Sequence, residues 1–361
     1  MTIHLTRSRP LLAEGDALAK AAGGRLGLGG LVDALTGPPA ARARRGRGSR
    51  VPRLLGRAVD WAFTWDRADR CDRRWWPQGI TSSADGDDPA RSRGRDLVVT
   101  SWYSKKLDGV THGARVSVVD LATLRYQHVL LVVPSLVDGE LRLEPLRVHA
   151  GGLVWHGPWL HVAATGRGFM TCHWDDLVAA TVLDPSTALA TGPDGVSAWG
   201  HTHLLPVRFV HHGAGGDEVA RLRFSFLSLD RTGATPHLVA GEYGRGAQTR
   251  RVARFPIDPA SGLLTADPEG RAVALHLDDS GVTRMQGAVV AHDQWYATAS
   301  VGPCLPGSMY AGTPGRLRGR HLAAPIGPED LTYWPEQDRL WTVSEHPGRR
   351  WVCAMRRDWF D

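Results

Sequence analysis

Polar side chains recur at one position of a repeated sequence block, and these side chains could do chemistry. Each block opens with a polar segment containing Gly or Pro, and a hydrophobic strand follows it. The polar segments supply Gln78, His149, His201 or His203, Gln286 and Glu329. Imidazole favours zinc, copper, iron or nickel, whereas amide and carboxylate oxygens favour calcium or manganese. Two interpretations stay open: a divalent metal ion of unknown identity bound by His149, His201, His203 and Glu329, or a hydrogen-bonded, water-filled channel.

A second polar set lies at the ends of the strands that come next in each block. Glu345 beside His346 could act in general acid–base catalysis, or it could belong to a surface turn at Pro347 and Gly348. Arginines in this set could hold an anionic or carbonyl-bearing substrate. We predict catalytic roles for His149, His203, Glu329, Glu345 and His346. We predict substrate binding by Gln78, Gln286, Trp102, Tyr103, Arg167 and Arg349.

The elements that position these side chains are short strands in a repeat that begins near Trp75. Five copies open at residues 77–80, 149–153, 200–204, 285–288 and 328–331. Repeats of roughly 40 to 70 residues with about four strands each are typical of β-propeller blades. We therefore predict an all-β fold, a single β-propeller of five four-stranded blades, or of six where the long third repeat holds two. First-strand starts and second-strand ends emerge on one face of a propeller, so both polar sets should meet at the channel mouth.

The sequence divides the chain into two parts. Residues 1–58 are predicted to form a basic, loosely ordered extension that is partly helical or disordered, with an Arg-rich run over residues 41–58. Residues 59–361 are predicted to form the propeller. Its last repeat lacks a fourth strand, and a strand within residues 60–65 could complete that repeat and close the ring.

Composition excludes some classes of protein. The net charge of +6 comes largely from the Arg-rich run, and no helix-turn-helix, RNA-binding or zinc-finger motif accompanies it. A nucleic-acid partner is therefore not expected. The sequence contains no apolar stretch of about 18 residues, so we expect no transmembrane helix. The N-terminal segment is a poor secretory signal. We expect a cytoplasmic monomer.

From about residue 75 to its end, the chain resembles bacterial propellers of the lactonase-like and gluconolactonase-like class. The segments HAGG (149–152), GHTHLLP (200–206) and GPEDLTYW (327–334) are similar to those of uncharacterised actinobacterial propeller proteins. The resemblance implies the fold, but the full metal-ligand set of the lactonases is missing, so no activity follows from it. We predict an enzyme that acts on a small organic molecule at the channel mouth by hydrolysis, elimination or cyclisation. The alternative is a non-catalytic propeller that binds a protein or a glycan.

Overall fold

The strands of this chain are rich in Val, Leu, Trp and Tyr and are buried along most of their length. The computed structural model describes residues 3–37, 40–46, 55–86, 92–215 and 220–361. Leu97–Ser104 and Ala114–Asp120, for example, are buried at nearly every position. Strands with this pattern are covered on both faces of their sheet. Each sheet therefore depends on its neighbours for burial, as apolar side chains from adjacent sheets share common cores.

The helices and strands are numbered here in chain order. The N-terminal elements are β1 (His4–Arg7), α1 (Leu12–Ala21), α2 (Gly27–Ala34), β2 (Ala41–Arg42), β3 (Arg44–Arg45), β4 (Val59–Thr64) and α3 (Arg67–Cys71). The next strands are β5 (Trp75–Ser82), β6 (Leu97–Ser104), β7 (Ala114–Asp120), β8 (Arg125–Val137) and β9 (Glu140–Pro145). They are followed by β10 (Leu153–His156), β11 (Trp159–Ala163), β12 (Gly168–His173), β13 (Val178–Ala179), β14 (Ala190–Gly192), β15 (Gly195–Ser197) and β16 (His203–Ala214).

The second half of the chain continues in the same way. Its first strands are β17 (Phe226–Asp230), β18 (His237–Gly241), β19 (Arg251–Pro256), β20 (Arg271–Val273) and β21 (His276–Asp279). The last strands are β22 (Met285–Ala291), β23 (Gln294–Ala299), β24 (Ser308–Gly312), β25 (Arg318–Arg320), β26 (Pro328–Trp334), β27 (Arg339–Ser344) and β28 (Trp351–Arg356). Short 3-10 helices lie at Ser83–Asp85, Trp174–Asp176, Pro335–Gln337 and Arg357–Phe360.

Within the described residues, most of the strands form five antiparallel groups of four around a common axis. The groups are β5 to β8; β10 to β12 with β16; β17 to β19 with β21; β22 to β25; and β26 to β28 with β4. The first strands contact one another in a closed ring, from β5 to β10, β17, β22 and β26 and back to β5. The predicted all-β propeller is therefore confirmed.

The ring is closed by a strand from the N-terminal side of the first group. Strand β4 pairs antiparallel with β28, with Ala62 opposite Cys353, so the closing strand predicted within residues 60–65 is confirmed. Directly after β4, the buried Trp65 packs its ring 4.8 Å from Trp102 and 5.1 Å from Tyr126, between centroids. The closing pair thus combines a strand ladder with an aromatic core that joins the fifth group to the first.

The third predicted repeat is wrong in its first strand. Strand β16, which begins at His203, is the outer strand of the second group: it pairs antiparallel with β12 and parallel with β8. The chain reaches this position through a long segment after β12 that includes β13, β14 and β15. The first strand of the third group is instead β17, so His201 and His203 do not occupy the position that lines the axis.

The N-terminal segment is part of the folded structure. Strand β1 pairs with both β16 and β20, and α2 buries Leu28, Leu31 and Val32. The two helices α1 and α2 agree with the prediction of a partly helical extension, and a strand ladder and apolar burial attach residues 3–37 to the propeller. Of the Arg-rich run, residues 47–54 lie outside the described residues. No helix in the described part of the chain is long and apolar enough to cross a membrane.

Candidate active site

Irregularities in the first strands explain how polar side chains come to face the axis. The register of β5 shifts between Pro77 and Ile80, and that of β26 shifts between Pro328 and Leu331. A similar shift lies at Met285 in β22. An extra residue in one strand bends that strand and redirects its side chains. The shifts include Gln78, Gln286 and Glu329, which the repeat predicted at equivalent positions.

Two amide–carboxyl pairs lie where the first, fourth and fifth groups of strands meet. The region around these four side chains is called the mouth below. The Gln78 side-chain amide donates to Glu345 Oε2 at 3.1 Å, which joins the first group to the fifth. The Gln286 amide donates to Glu329 Oε1 at 3.0 Å, which joins the fourth group to the fifth. Four side chains predicted as site residues therefore form two hydrogen-bonded pairs, although the members of one pair are 267 positions apart in the sequence.

The pKa values of the Glu329 and Glu345 carboxyls are both raised. Burial raises the pKa of Glu329 well above its usual value of 4.5, and the negative charges of Glu345 and Asp330 raise it further. Burial also raises the pKa of Glu345, although the Gln78 amide, Lys105 and Arg350 act in the opposite direction. Glu329 is only 4% exposed, whereas the Glu345 side chain is 20% exposed. The two environments therefore favour a protonated Glu329 beside a more readily ionised Glu345.

Aromatic and basic side chains surround the two carboxyls. The rings of Tyr103 and His149 lie 4.5 Å apart between centroids, and the Lys105 ammonium lies 3.1 Å from the ring centroid of Trp76. Burial lowers the pKa of Lys105, and burial with the nearby Lys105 charge lowers the pKa of His149. Glu345 and Glu329 add to burial in raising the pKa of Tyr103. The charges of Lys105, Glu329 and Glu345 therefore influence the pKa values of their aromatic neighbours.

Arg350 supports this site, although the sequence analysis did not select it. Its side chain is fully buried, and its Nε donates to the Glu345 carbonyl at 3.0 Å while Nη1 donates to the Asp69 carbonyl at 2.6 Å. The guanidinium also lies over the rings of Trp76 and Trp102, 5.7 Å from each centroid. Arg350 therefore fixes the backbone that carries Glu345 and places a positive charge beneath the mouth.

His346 is also in contact with Glu345. Its Nδ1 lies 3.6 Å from Glu345 Oε1, and its ring meets that of Trp76 edge to face. Burial lowers the pKa of His346, with further lowering from Arg349, Lys105 and Arg350. The imidazole is therefore biased towards its neutral form beside the carboxyl.

Three predicted substrate-binding residues do not fit that role. Trp102 is fully buried and donates its indole N–H to Ser117. Neighbouring residues of a strand face opposite sides of the sheet, so Trp102 faces the core where Tyr103 faces the mouth. Arg167 is exposed in the turn after β11. Arg349 is exposed and donates to the Pro303 carbonyl at 2.7 Å, so it joins two loops. The inward-facing arginine is the next residue, Arg350.

The predicted metal-ligand set does not assemble. Because β16 is an outer strand, His203 pairs with Val129 of β8 and hydrogen-bonds Thr202 at 2.8 Å. The His201 ring is held 2.8 Å from the Ala198 carbonyl. Both histidines are thus separated from His149 and Glu329, which contradicts the catalytic role predicted for His203. Across the described residues, no three His, Cys, Asp or Glu side chains are grouped as a metal site would require.

A buried carboxyl next to Glu329 in the chain joins the first strands of three groups. Asp330, adjacent to Glu329, accepts the backbone N–H groups of Ile80 at 3.1 Å and Leu153 at 3.0 Å. It thereby ties three first strands together, and burial raises its pKa well above the usual range. The first strands approach so closely that a Cβ on Gly152 would lie 2.0 Å from the backbone nitrogen of Leu227. Asp330 was not among the predicted site residues, although it lies in the segment PED that supplied Glu329.

Comparison with known proteins finds similarity only at the level of structure. No protein family matches the chain, and no curated protein is similar to it in sequence. The β-propeller domain of Swd1 from Myceliophteria thermophila is 13% identical with a TM-score of 0.36, over 79% of this chain and 98% of that one. A gluconolactonase from Xanthomonas campestris is 13% identical with a TM-score of 0.37, over 88% of this chain and 97% of that one. The fold assignment rests on this chain's own strand order, and closeness to actinobacterial proteins stays a prediction.

Proposed function

We propose that this protein is an enzyme that performs acid–base chemistry on a small organic molecule at the mouth of the propeller. The observation that carries the proposal is the pair Glu329 and Glu345, two carboxyls raised in pKa to different degrees by their surroundings. Carboxyl groups of unequal pKa in one cleft are a recurring arrangement for general acid and general base catalysis.

The roles follow from burial and charge. Glu329 is the more buried and lies beside two other carboxyls, so it keeps its proton and serves as the general acid. Glu345 is stabilised as an anion by Gln78, Lys105 and Arg350, so it serves as the general base. In hydrolysis, Glu345 takes a proton from the attacking water and Glu329 gives one to the leaving oxygen. In elimination, Glu345 takes the proton from carbon instead.

Neighbouring side chains complete the proposed chemistry. Lys105, held over Trp76, can stabilise negative charge that develops on a substrate oxygen. The paired rings of Tyr103 and His149 offer an apolar wall. Gln286 orients the Glu329 carboxyl. Tyr103 and Lys105 come from the end of β6, Gln286 from the start of β22 and His149 from the segment before β10, so a rigid frame of strands positions these groups.

The proposal is tested by a substrate screen with matched variants. Wild-type protein is assayed against nitrophenyl esters, five- and six-membered lactones and β-hydroxy carbonyl compounds. Glu329→Gln and Glu345→Gln should each lower turnover by about 100-fold or more, and Glu336→Gln is the control because Glu336 is exposed beyond the far end of β26. Turnover that both active-site variants retain would contradict the proposal. No turnover by the wild type on any of these substrates, together with lowered stability of both active-site variants, would favour a non-catalytic propeller.

The dependence of the rate on pH gives a separate readout. The rate should rise as Glu345 ionises and fall as Glu329 ionises, and both transitions should lie above pH 4.5, the usual carboxyl pKa. Glu345→Gln should remove the rising part of the profile. A rate that does not change with pH between about 4 and 9 would exclude this pair as the acid and base.

A further inference from the structure

A cavity lies beside the first group of strands, away from the mouth. This cavity, which we term the flank pocket, has a volume of about 460 Å³ and is thus in the size range of small-molecule sites. It is bounded by the start of β5, by β7 and β8, and by the segment before β16. The lining residues that matter below are Trp75, Arg115, Gln127, Trp199 and His201.

One wall of the flank pocket is aromatic and includes a strained residue. Trp199 has φ 48°, in the left-handed region that bulky residues avoid. Its ring stacks on His112 at 4.2 Å with an interplanar angle of 3°. Trp75 contacts His112 and His201 edge to face, at 6.2 and 5.7 Å between centroids. Backbone strain of this kind is concentrated at functional sites, and flat rings suit a planar ligand.

Three lining residues each carry a buried polar atom that has no hydrogen-bond partner among the described residues: His201 Nε2, Gln127 Nε2 and Arg115 Nε. The other polar ends are committed. His201 Nδ1 lies 2.8 Å from the Ala198 carbonyl, so Nδ1 carries the proton and Nε2 is an acceptor. Burial lowers the pKa of His201 to about 3, which keeps the ring neutral. Gln127 Oε1 accepts from Thr202 at 3.5 Å, so its amide is left as a donor.

The acidic groups around the flank pocket are already engaged in hydrogen bonds within the protein. Arg74 and Arg115 line it. The Asp72 carboxylate also lines it but accepts the backbone N–H groups of Arg74 and Trp75 at 2.5 and 2.8 Å. Asp69, behind the wall, is bound to Arg115, His128 and Tyr126. The polar atoms without partners are thus two N–H donors and one neutral acceptor.

We propose that the flank pocket binds a small planar carboxylate that also carries a hydroxyl or amine hydrogen-bond donor. The carboxylate would accept from Gln127 and Arg115, and the donor would reach His201 Nε2. The flat part of the ligand would pack on Trp199, which is half-buried. This site is separate from the mouth, and the proposal does not depend on the proposed catalytic function.

The experiment uses hydroxybenzoates as probes and titrates them calorimetrically into the full chain. Benzoate lacks the donor and phenol lacks the carboxylate, so together they separate the two contacts. The wild type should bind 3- or 4-hydroxybenzoate at one site, about tenfold more tightly than benzoate and about 100-fold more tightly than phenol, since each lost hydrogen bond costs about tenfold and phenol loses two. Glu329→Gln should leave this affinity unchanged, because Glu329 belongs to the mouth.

Two variants assign the contacts. His201→Leu should weaken hydroxybenzoate and phenol about tenfold and leave benzoate unchanged. Gln127→Leu should weaken both carboxylates and leave phenol unchanged. His203→Leu is the matched control, since this buried histidine lies two residues away and does not line the pocket. If one variant fails to fold, the other decides. The proposal is overturned by the absence of saturable binding up to about 10 mM, by equal affinity in the folded variants, or by loss of binding in Glu329→Gln.

Discussion

Replacing Glu329 by Gln should make the protein more stable at neutral pH while abolishing its proposed chemistry. Burial and the neighbouring carboxyls raise the pKa of Glu329 well above 4.5 in the folded state. Between pH 4.5 and that raised pKa, the folded chain keeps a proton that the unfolded chain has released. The free energy of unfolding therefore falls as pH rises through this window. The contribution of the protonated Glu329 side chain to that free energy is fully present only below pH 4.5. Glutamine has nearly the same shape and carries no ionisable group.

The magnitude follows from the one proton involved. A difference of one bound proton changes the free energy of unfolding by about 1.4 kcal/mol per pH unit. Glu329→Gln should thus gain on the wild type by up to that amount for each pH unit above 4.5, until the folded-state pKa is passed. The Gln286 amide can still donate to the new side-chain oxygen, so the geometry of the pair is retained.

Urea unfolding at a series of pH values from about 4.5 to 8 measures this difference. The wild type, Glu329→Gln and the exposed control Glu336→Gln are compared under identical conditions. The reasoning is refuted if the stability of Glu329→Gln parallels that of the wild type at every pH, since Glu329 would then ionise normally in the folded state.

Two further predictions test the frame that carries the site. Gly152→Ala should lower the free energy of unfolding by about 3 kcal/mol or more, because its Cβ would meet backbone at 2.0 Å, whereas Gly166→Ala, with nothing within 4 Å, should change it little; equal stability of the two would contradict the packed axis. Trp65→Ala should cost about 3 to 5 kcal/mol by opening the core beside the closing strand, and denaturant unfolding that shows under 1 kcal/mol would argue against that closure.

The sequence predicted the axis-facing residues where local chemistry repeats. Gln78, Gln286 and Glu329 stand beside Gly, Pro or Asp at the start of a hydrophobic strand, and each occupies a strand irregularity in the structure. Glu345 could be placed because it ends the second strand of the same repeat. Periodicity and position in the repeat were sufficient for these four residues.

The remaining errors arise from information that a repeat does not contain. The segment GHTHLLP has the texture of a first strand, yet the long connection before it makes β16 an outer strand, which moved His201 and His203 away from the mouth. Alternation along a strand decides that Tyr103 faces the mouth and Trp102 the core, and it requires a register that sequence alone does not give. For the same reason the exposed Arg349 was predicted to bind substrate, whereas the buried Arg350 is the arginine that faces inward.

The central claim is that Glu329 and Glu345 are an acid and a base with separated pKa values at one mouth. Carbon-detected NMR titration of the two side-chain carboxyls, assigned with Glu329→Gln and Glu345→Gln, measures this directly. We predict that both carboxyls titrate above pH 4.5 and that Glu329 titrates at the higher pH. Two carboxyls that titrate together at or below 4.5 would contradict the claim.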